Sequence, residues 1–449
     1  MSDKSIIEHP EWPDWFDGKR INEPGFCDAY LAGHQLAFTA NAFFTPEGRV
    51  DDANIIREEI FRLIRPYTLT GVTKKVSSIM DLLQMAASVS DFPPQTDRIH
   101  VANGTLYLDG SFSSMKKEVV RSRFPVRYNP NAPKPARWLQ FLSELLWPED
   151  IPTLQEYIGY CLIPSNAGQK MMVIKGNGGE GKSQIGSVLF RLFGPNAKDG
   201  SVGKISENAF ARADIEHVHL MIDDDMRLDA LKQTNYVKSI VTASGKMDLE
   251  RKGKQSYQGY MFARLLAFSN GDLVSLYDRS DGFFRRQLIL TTRNKPKDRL
   301  DDPFLKDKLS QELEGIFLWA FEGLQRLMRN HFRFTESERA RMSRETVKRD
   351  ANNILLFLES RGYLKHGPNY TICSKDLGRV YRYWCHENTY PAMKNKTLIE
   401  YLTAHQEELG ITYTHHLLNA AGQEVRGFRG IAAAIPLSSL SGWAQAEDE

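Results

Sequence analysis

The sequence contains no long apolar run. No stretch approaches the ~20 consecutive apolar residues of a membrane-spanning helix. Its first residues, MSDKSIIEHPEWPDW, also lack the basic start and the apolar stretch of a secretory signal peptide. These two absences exclude a membrane-spanning protein and predict a cytoplasmic one without a membrane partner.

The sequence also has few cysteines and a net charge close to zero. The net charge is +2, from 58 basic and 56 acidic residues, which excludes a uniformly basic surface. Any contact with nucleic acid must therefore come from local basic patches. The cysteines form no C-x-x-C pair, which argues against a zinc site and against a disulfide framework. There are 4 of them, widely scattered: Cys27, Cys161, Cys373 and Cys385.

Internal repeats and low-complexity linkers are absent too, so domains must be inferred from changes in pattern. A length of 449 residues predicts about three domains at ~150 residues each. Residues 1–135 are predicted to be mainly helical, with some strands. Residues 136–345 alternate strands with helices, as around a parallel sheet, and residues 350–449 combine short helices with β-like segments. The predicted fold class is therefore α/β.

A glycine-rich segment, IKGNGGEGKSQIG, follows an apolar run at residues 171–174. It fits the pattern G-x-x-x-x-G-K-[ST] of a phosphate-binding loop, and apolar residues recur at helical spacing after it. Glycine lets the backbone turn its N–H groups toward a phosphate chain, and the helix adds its positive end. A plain glycine-rich turn is the alternative. The residues predicted to bind nucleotide are Gly176, Asn177, Gly178, Gly179, Glu180, Gly181, Lys182, Ser183 and Gln184.

Two side chains of this segment have predicted tasks. Lys182 would reach the β- and γ-phosphates, and the Ser183 hydroxyl would ligate Mg²⁺. The segment therefore predicts a nucleoside triphosphate site, with ATP and Mg²⁺ as the expected cofactors.

Two later segments are apolar strands that end in polar residues. VHLMIDDDM ends in Asp223, Asp224 and Asp225. Adjacent carboxylates beside a phosphate loop suit two tasks, because one can hold Mg²⁺ while the next orients and deprotonates the attacking water. An acidic strand end that only faces solvent is the alternative. RLLAFSNGD ends with Asn270, whose amide could reach the γ-phosphate and the water.

An arginine pair follows in DRSDGFFRRQLIL. Arg285 or Arg286 could complete the site of a neighbouring subunit by stabilising charge on the transferring phosphoryl group. By itself, such a pair is more often a solvated salt-bridge patch. The sequence does not decide which arginine would act.

In order and spacing, these segments resemble the superfamily 3 helicases of phages, plasmids and small DNA viruses, of the poxvirus and phage type that often follows a primase. The resemblance extends from about residue 95 to the C-terminus and implies an AAA+-like P-loop ATPase core, a hexameric ring and 3′ to 5′ movement. The segments that carry it are DRIHVANGTLYLDG, EYIGYCLIPSNAGQKMMVIKGNGGEGKS, VKSIVTASGKMDLERKGKQSYQGYMFARLLAFSNGD, DRSDGFFRRQLIL and ELEGIFLWAFEGLQRLMRNHFRFTESE.

The resemblance also implies roles for the polar strand ends. Asn270 matches the family's sensor asparagine, and the acidic cluster matches its second phosphate-site motif, which usually has two carboxylates. Either Asp223 and Asp224 or Asp224 and Asp225 would then perform the two tasks. Strand alternation favours the first pair, with Asp223 as a metal ligand.

Between these two strands, the family has a hairpin that contacts DNA. Here GKMDLERKGKQSYQGY occupies that position, with Arg251, Lys252 and Lys254 around Gly253. Cationic side chains neutralise backbone phosphates without reading base identity. Composition alone would favour a solvated basic turn, whereas the position in the sequence favours contact with DNA.

Residues 350–449 resemble the winged-helix module that follows the motor in phage and plasmid relatives. ICSKDLGRVYRYWCHEN and KNKTLIEYLTAHQEEL are predicted helices, and ITYTHHLLNAAGQEVRGFRGIAAAI is a predicted β-wing. The second helix would enter the major groove of origin or template DNA. A domain that only packs is the alternative, because its basic residues are few.

These features predict an ATP-dependent replicative DNA helicase of a phage, prophage or mobile element, acting on single-stranded and forked DNA in the host cytoplasm. The ~95 residues before the resemblance contain no D-x-D motif and are too few for a primase core. A primase or replication initiator would then be a separate polypeptide. The alternatives are an ATPase that moves protein and an ATP-regulated DNA-binding initiator or repressor without strong unwinding activity.

Overall fold

The computed structural model describes residues 12–443, except residues 91, 116–117, 227–233, 254, 271–280, 297–301, 352, 391 and 419–421. The chain separates into two compact units, Met1–Arg344 and Glu345–Glu449. Among the described residues, no helix is both long enough and apolar enough to cross a membrane.

The first unit begins with three helices and a small antiparallel sheet, followed by a second small sheet. The elements are α1 (Glu23–Gly33), β1 (Ala37–Thr39), β2 (Ala42–Thr45), β3 (Gly48–Arg49), α2 (Asn54–Ile64), α3 (Val72–Ala86), β4 (Arg98–Val101), β5 (Gly104–Tyr107) and β6 (Phe112–Ser113). In α2, Ile56, Ile60 and Ile64 recur at helical spacing and are buried. Strands β4 and β5 form an antiparallel hairpin whose turn is Ala102 and Asn103.

The rest of the first unit alternates helices and strands. The elements are α4 (Ala136–Leu145), α5 (Ile151–Tyr160), β7 (Met171–Lys175), α6 (Lys182–Phe193), β8 (Ala197–Asp199), α7 (Val202–Glu207), α8 (Ala209–Ala213), β9 (Leu220–Asp223), α9 (Asn235–Thr242), β10 (Lys246–Leu249), β11 (Tyr257–Tyr260), β12 (Arg264–Ser269), α10 (Asp281–Phe284), β13 (Gln287–Thr291), α11 (Leu305–Ser310), α12 (Leu313–Arg329) and α13 (Glu338–Ala351). Helix α13 contains the boundary between the two units.

Five of these strands form a parallel sheet in the order β13-β7-β12-β9-β8. The predicted parallel sheet is therefore confirmed, and the protein has a mixed α/β fold. In the register, Lys175 at the end of β7 lies beside Ser269 at the end of β12, and Asp223 at the end of β9 lies beside Ala267. The carboxyl ends of the three central strands thus share one edge of the sheet.

Side chains from the sheet and from the helices on it form one continuous core. The first four residues of β7 are apolar and buried, as is typical of a strand with both faces covered. Helix α5 packs closely on α12, since a Cβ atom at Gly159 would lie 2.2 Å from the carbonyl oxygen of Ala320. This packing fixes the scaffold from which the loop after β7 projects.

The second unit has its own core around a three-stranded antiparallel sheet in the order β14-β16-β15. Its elements are α14 (Asn353–Glu359), β14 (Leu364–Cys373), α15 (Ser374–Glu387), α16 (Asn395–Ala404), β15 (Thr412–Leu418) and β16 (Glu424–Ala433). The buried face of α15 carries Leu377, Val380, Tyr381 and Trp384. Two helices followed by an antiparallel strand pair thus occupy the positions predicted for them.

Candidate functional site

The loop between β7 and α6 has a backbone shape that depends on glycine. Gly178, Gly179 and Gly181 have φ values of +99°, +78° and +105°, which other residues rarely adopt. A Cβ atom at Gly176 would lie 2.7 Å from Lys182 Nζ, so a side chain there would displace the lysine. The geometry of the loop therefore requires glycine at these positions of the pattern.

Lys182 is the first residue of α6, and its ammonium group lies in the loop. The side chain is only 8% exposed. Nζ donates to Glu180 Oε2 at 3.0 Å and to Asn270 Oδ1 at 3.2 Å. Asn270 directly follows β12, the neighbour of β7 in the sheet. The structure thus brings the loop lysine into contact with the asparagine at the next strand end.

The Glu180 carboxylate lies on the backbone donors of the same loop. It accepts hydrogen bonds from the N–H groups of Asn177 and Gly178, the latter at 3.0 Å. Burial by itself would raise the pKa of this carboxyl. The hydrogen bonds from Lys182 and from the backbone outweigh burial and hold the pKa below its ordinary value. Glu180 is therefore a carboxylate at neutral pH.

The three aspartates after β9 differ in position. Asp223 is buried, and its Oδ2 accepts a hydrogen bond from the backbone N–H of Val202 at 2.8 Å. Burial raises the pKa of Asp223 above its ordinary value, against the lowering effect of that hydrogen bond. Asp224 and Asp225 are exposed. Oδ2 of Asp223 is thus bonded to the first residue of α7, whereas Asp224 and Asp225 are exposed beside it. The metal-binding role of Asp223 stays a prediction, and the exposure of Asp224 and Asp225 is the basis for proposing that pair.

An open cleft of about 630 Å³ lies at this edge of the sheet. Its volume falls in the range of roughly 300–1,000 Å³ that is typical of small-molecule sites. The predicted site residues that line it are Gly178, Gly179, Glu180, Gly181, Lys182, Ser183, Gln184, Asp224 and Asn270, together with Asp225. Groups from three neighbouring strand ends thus face one space, although Asp223 is not among them.

The cleft also has a wall that sequence reasoning missed. Arg137, Phe141 and Glu144 of α4 line it, as do residues directly before and within α11. Arg137 Nη1 lies 3.8 Å from Glu144 Oε1. No motif marks these residues, because only the packing of α4 on the sheet brings them to the loop.

The positions of the aspartates predict different effects of removing each carboxylate. Asp224→Asn and Asp225→Asn should each lower the kcat of ATP hydrolysis by about a hundredfold or more, the usual loss when a general base or metal ligand is neutralised. Asp223→Asn should leave kcat within severalfold of the original, because an amide oxygen can still accept from Val202. Steady-state ATPase assays on folded variants test this. A loss in Asp223→Asn and Asp224→Asn, with Asp225→Asn still active, would restore the pair predicted from strand alternation.

The arginine pair lies at the opposite edge of the sheet. Arg286 directly precedes β13, and its carbonyl oxygen accepts from the N–H of Met171, the first residue of β7. Its Nη1 donates to the carbonyl oxygen of Gly282. Arg285 is exposed. Strands β7 and β13 run parallel over five residues each, so roughly 15 Å separates the arginines from the loop of the same chain.

The predicted DNA-contacting hairpin is formed by β10 and β11, which pair in antiparallel register from Lys246 and Tyr260 to Leu249 and Tyr257. Lys252 and Gly253 are exposed near its tip. Lys254 lies outside the described residues.

Arg251 has a different environment from that of its neighbour Lys252. Its Nη2 lies 2.9 Å from Glu216 Oε2, and its Nε donates to the hydroxyl of Tyr257 at 2.7 Å. Tyr257 in turn donates to Glu216 Oε2 at 2.6 Å, and Glu216 is 1% exposed. The structure therefore ties Arg251 and Tyr257 to Glu216 at the loop end of the paired strands, where Leu249 pairs with Tyr257. Contact of Arg251 with DNA stays a prediction.

One family pattern matches the sequence over residues 174–286, from within β7 to the residue before β13. It is described as a family of unknown function, DUF5906, and covers less than half of the chain. No curated protein matches.

Three solved structures of the C-terminal region of NrS-1 are similar to this chain. An A form apo structure of residues 305–718 is 11% identical and covers 90% of this chain and 98% of its own, with a TM-score of 0.49. A second A form apo structure is 12% identical and covers 94% of this chain and 100% of its own, also with a TM-score of 0.49. An apo structure of residues 305–718 is 12% identical and covers 92% of this chain and 100% of its own, with a TM-score of 0.51. This last similarity is one of fold.

Proposed function

We propose that the protein is an ATP-dependent DNA helicase of the superfamily 3 type. One observation carries this proposal: the loop after β7, Asn270 after β12, and Asp224 and Asp225 after β9 all line one cleft. Backbone donors, a buried lysine, an amide and two carboxylates are the groups that phosphoryl transfer to water requires. They come from separate segments, so their convergence is independent support for the site.

The groups in the cleft fit ATP with Mg²⁺. Loop N–H groups and Lys182 would bind the phosphate chain. The Ser183 hydroxyl and one carboxylate, from Asp224 or Asp225, are hard oxygen ligands of the kind that Mg²⁺ prefers. When bound, Mg²⁺ would neutralise charge on the phosphates.

The remaining groups have tasks in hydrolysis. The second of the two exposed carboxylates would orient a water molecule and accept its proton. Asn270, which already contacts Lys182, would hold the lysine in place and contact the γ-phosphate. At the sheet's other edge, Arg285 or Arg286 would serve the site of the next subunit in a ring, which we propose to be a hexamer.

We propose that the hairpin contacts the DNA along which the protein moves. Lys252 is exposed, Lys254 is two residues further on, and the neighbouring Arg251 pairs with the buried Glu216. Cationic tips of this kind would grip backbone phosphates of single-stranded or forked DNA regardless of sequence. In the second unit we propose a winged-helix module, in which α16 would enter the major groove of origin DNA. A primase or initiator on a separate polypeptide completes the proposed replication role.

Removing the hairpin lysines tests this function. Lys252→Ala/Lys254→Ala should abolish ATP-driven strand displacement and leave basal ATP hydrolysis intact, because the hairpin lies outside the cleft. Single-strand binding should weaken about equally for all sequences, and its salt dependence should flatten by ~0.7 per lost phosphate contact. The measurements are strand displacement on a forked duplex, ATPase with and without single-stranded DNA, and a salt titration.

Lys74→Ala/Lys75→Ala, a lysine pair on α3, is the matched control. Normal unwinding by the hairpin variant would show that DNA is gripped elsewhere. If the unaltered protein hydrolyses ATP and binds DNA but displaces no strand, the protein is the ATP-regulated initiator rather than a helicase.

A further inference from the structure

The loop after β7 holds an acidic side chain in its centre. The Glu180 side chain is only 3% exposed. Its Oε1 accepts from the N–H of Asn177, and its Oε2 accepts from the N–H of Gly178 and from Lys182 Nζ, both at 3.0 Å. One carboxylate thus engages two backbone donors and the loop's ammonium group.

These donors are the same ones that the proposed phosphate site needs. Backbone N–H groups in a glycine-rich loop and a lysine at the start of a helix bind anions in general, and a carboxylate satisfies them as a phosphate does. Two anions cannot share the same N–H groups, because each proton has one strong acceptor and like charges repel at this distance. Glu180 and a bound phosphate chain therefore exclude each other on these donors.

The loop is built so that Glu180 can leave. Its two chain neighbours, Gly179 and Gly181, are glycines with φ values of +78° and +105°. Glycine lacks the steric limits that would fix the backbone in one such conformation. A Cβ atom at Gly179 would meet no atom within 4 Å, so there is open space beside Glu180. When the carboxylate moves, Lys182 keeps Asn270 as a second partner.

We propose that Glu180 is an internal competitor for the phosphate groups of the nucleotide. The carboxylate holds the loop donors between turnovers, is displaced when a nucleotide binds, and returns as the product leaves. This inference rests on the proposed nucleotide site and adds to it a residue that sets affinity and release. The competition weakens binding of every ligand whose phosphates reach these donors and leaves binding of the nucleoside alone unaffected.

The test is to neutralise the carboxylate and measure nucleotide binding. Glu180→Gln should lower the Kd of Mg²⁺–ATP and of Mg²⁺–ADP by about tenfold or more, because a hydrogen bond to a charged group changes an equilibrium constant by at least this factor. The dissociation rate of ADP should fall, and the Kd of adenosine should not change. Glu180→Ala removes every contact of the side chain and should act in the same direction. Glu207→Gln, an exposed glutamate on α7, is the matched control.

The outcomes separate this inference from the proposed function. Equal Kd values for ATP in the original protein and in Glu180→Gln would overturn the inference and leave the ATP site standing. Weaker ATP binding in both variants, with unchanged thermal unfolding, would also overturn it. Glu180 would then hold the loop in the conformation that binds ATP. If neither the original protein nor any variant binds ATP, ADP or pyrophosphate, the inference and the proposed function both fail.

Discussion

Replacing Lys182 with alanine is expected to abolish ATP hydrolysis and strand displacement. Its ammonium group is buried in the loop, within hydrogen-bond distance of Glu180 and Asn270. The other described cation that lines the cleft, Arg137, belongs to α4 and not to the loop. A point charge aimed at the β- and γ-phosphates acts mainly on charge that develops in the transition state, so its removal lowers kcat. The measurement is the single-turnover rate of ATP hydrolysis by purified Lys182→Ala.

This substitution also leaves the buried Glu180 without its charged partner, which lowers the free energy of unfolding. Lys182→Ala/Glu180→Gln removes both charges and separates lost catalysis from lost stability, and thermal unfolding of each variant provides the comparison. Lys204→Ala, an exposed lysine on α7, should behave as the original protein does. Hydrolysis by folded Lys182→Ala at the original rate would place the ATP site elsewhere.

Mixing two inactive variants is expected to restore ATP hydrolysis. The arginine pair lies at the amino edge of the sheet and the loop at the carboxyl edge, roughly 15 Å apart. Arg286 is therefore too far away to reach a γ-phosphate bound in the cleft of its own chain, and in the proposed ring it would act across a subunit interface. Arg286→Ala alone should lose about a thousandfold or more in kcat, as for other arginines that act on a transferring phosphoryl group.

In a mixture of Arg286→Ala and Lys182→Ala subunits, one type of interface keeps an intact loop and an intact arginine. The ATPase rate of the mixture should therefore exceed that of either variant alone, with subunit exchange checked by a fluorescence label. The same mixture with Arg285→Ala identifies which arginine acts. No recovery with either arginine, despite verified mixing, would argue that the pair does not act between subunits.

Local patterns predicted the elements around the site well. In α6, Ile185, Val188, Leu189 and Leu192 are all buried, as their helical spacing implied. In α12, Ile316, Ala320 and Leu324 recur at helical spacing and are buried as well. In both helices the apolar spacing is set by which face packs on the core, so the sequence itself reports the burial.

The details of the site depended on contacts between distant segments, which local patterns do not report. Alternation along β9 favoured Asp223, yet its carboxylate is bonded to the N–H of Val202, 21 residues earlier. Arg251 was predicted to contact DNA, which stays a prediction, and local pattern gave no sign that its guanidinium pairs with Glu216, 35 residues earlier. The wall that includes Arg137 and Phe141 has no local signature either. Each of these positions is decided by tertiary packing.

The anchor at Glu216 determines how the hairpin can move. Glu216 lies just before β9, the strand that ends at the aspartates, and it accepts from both Arg251 and Tyr257. Arg251 and Tyr257 lie at the loop end of the paired strands. A movement of this end away from Glu216 would strip these donors from a buried carboxylate, which is costly. The loop end of the hairpin is therefore fixed to the segment just before β9. In the proposed ATP cycle, a shift of that strand would therefore be passed directly to Lys252, the residue after Arg251, and the size of the shift would set the size of each proposed step along DNA.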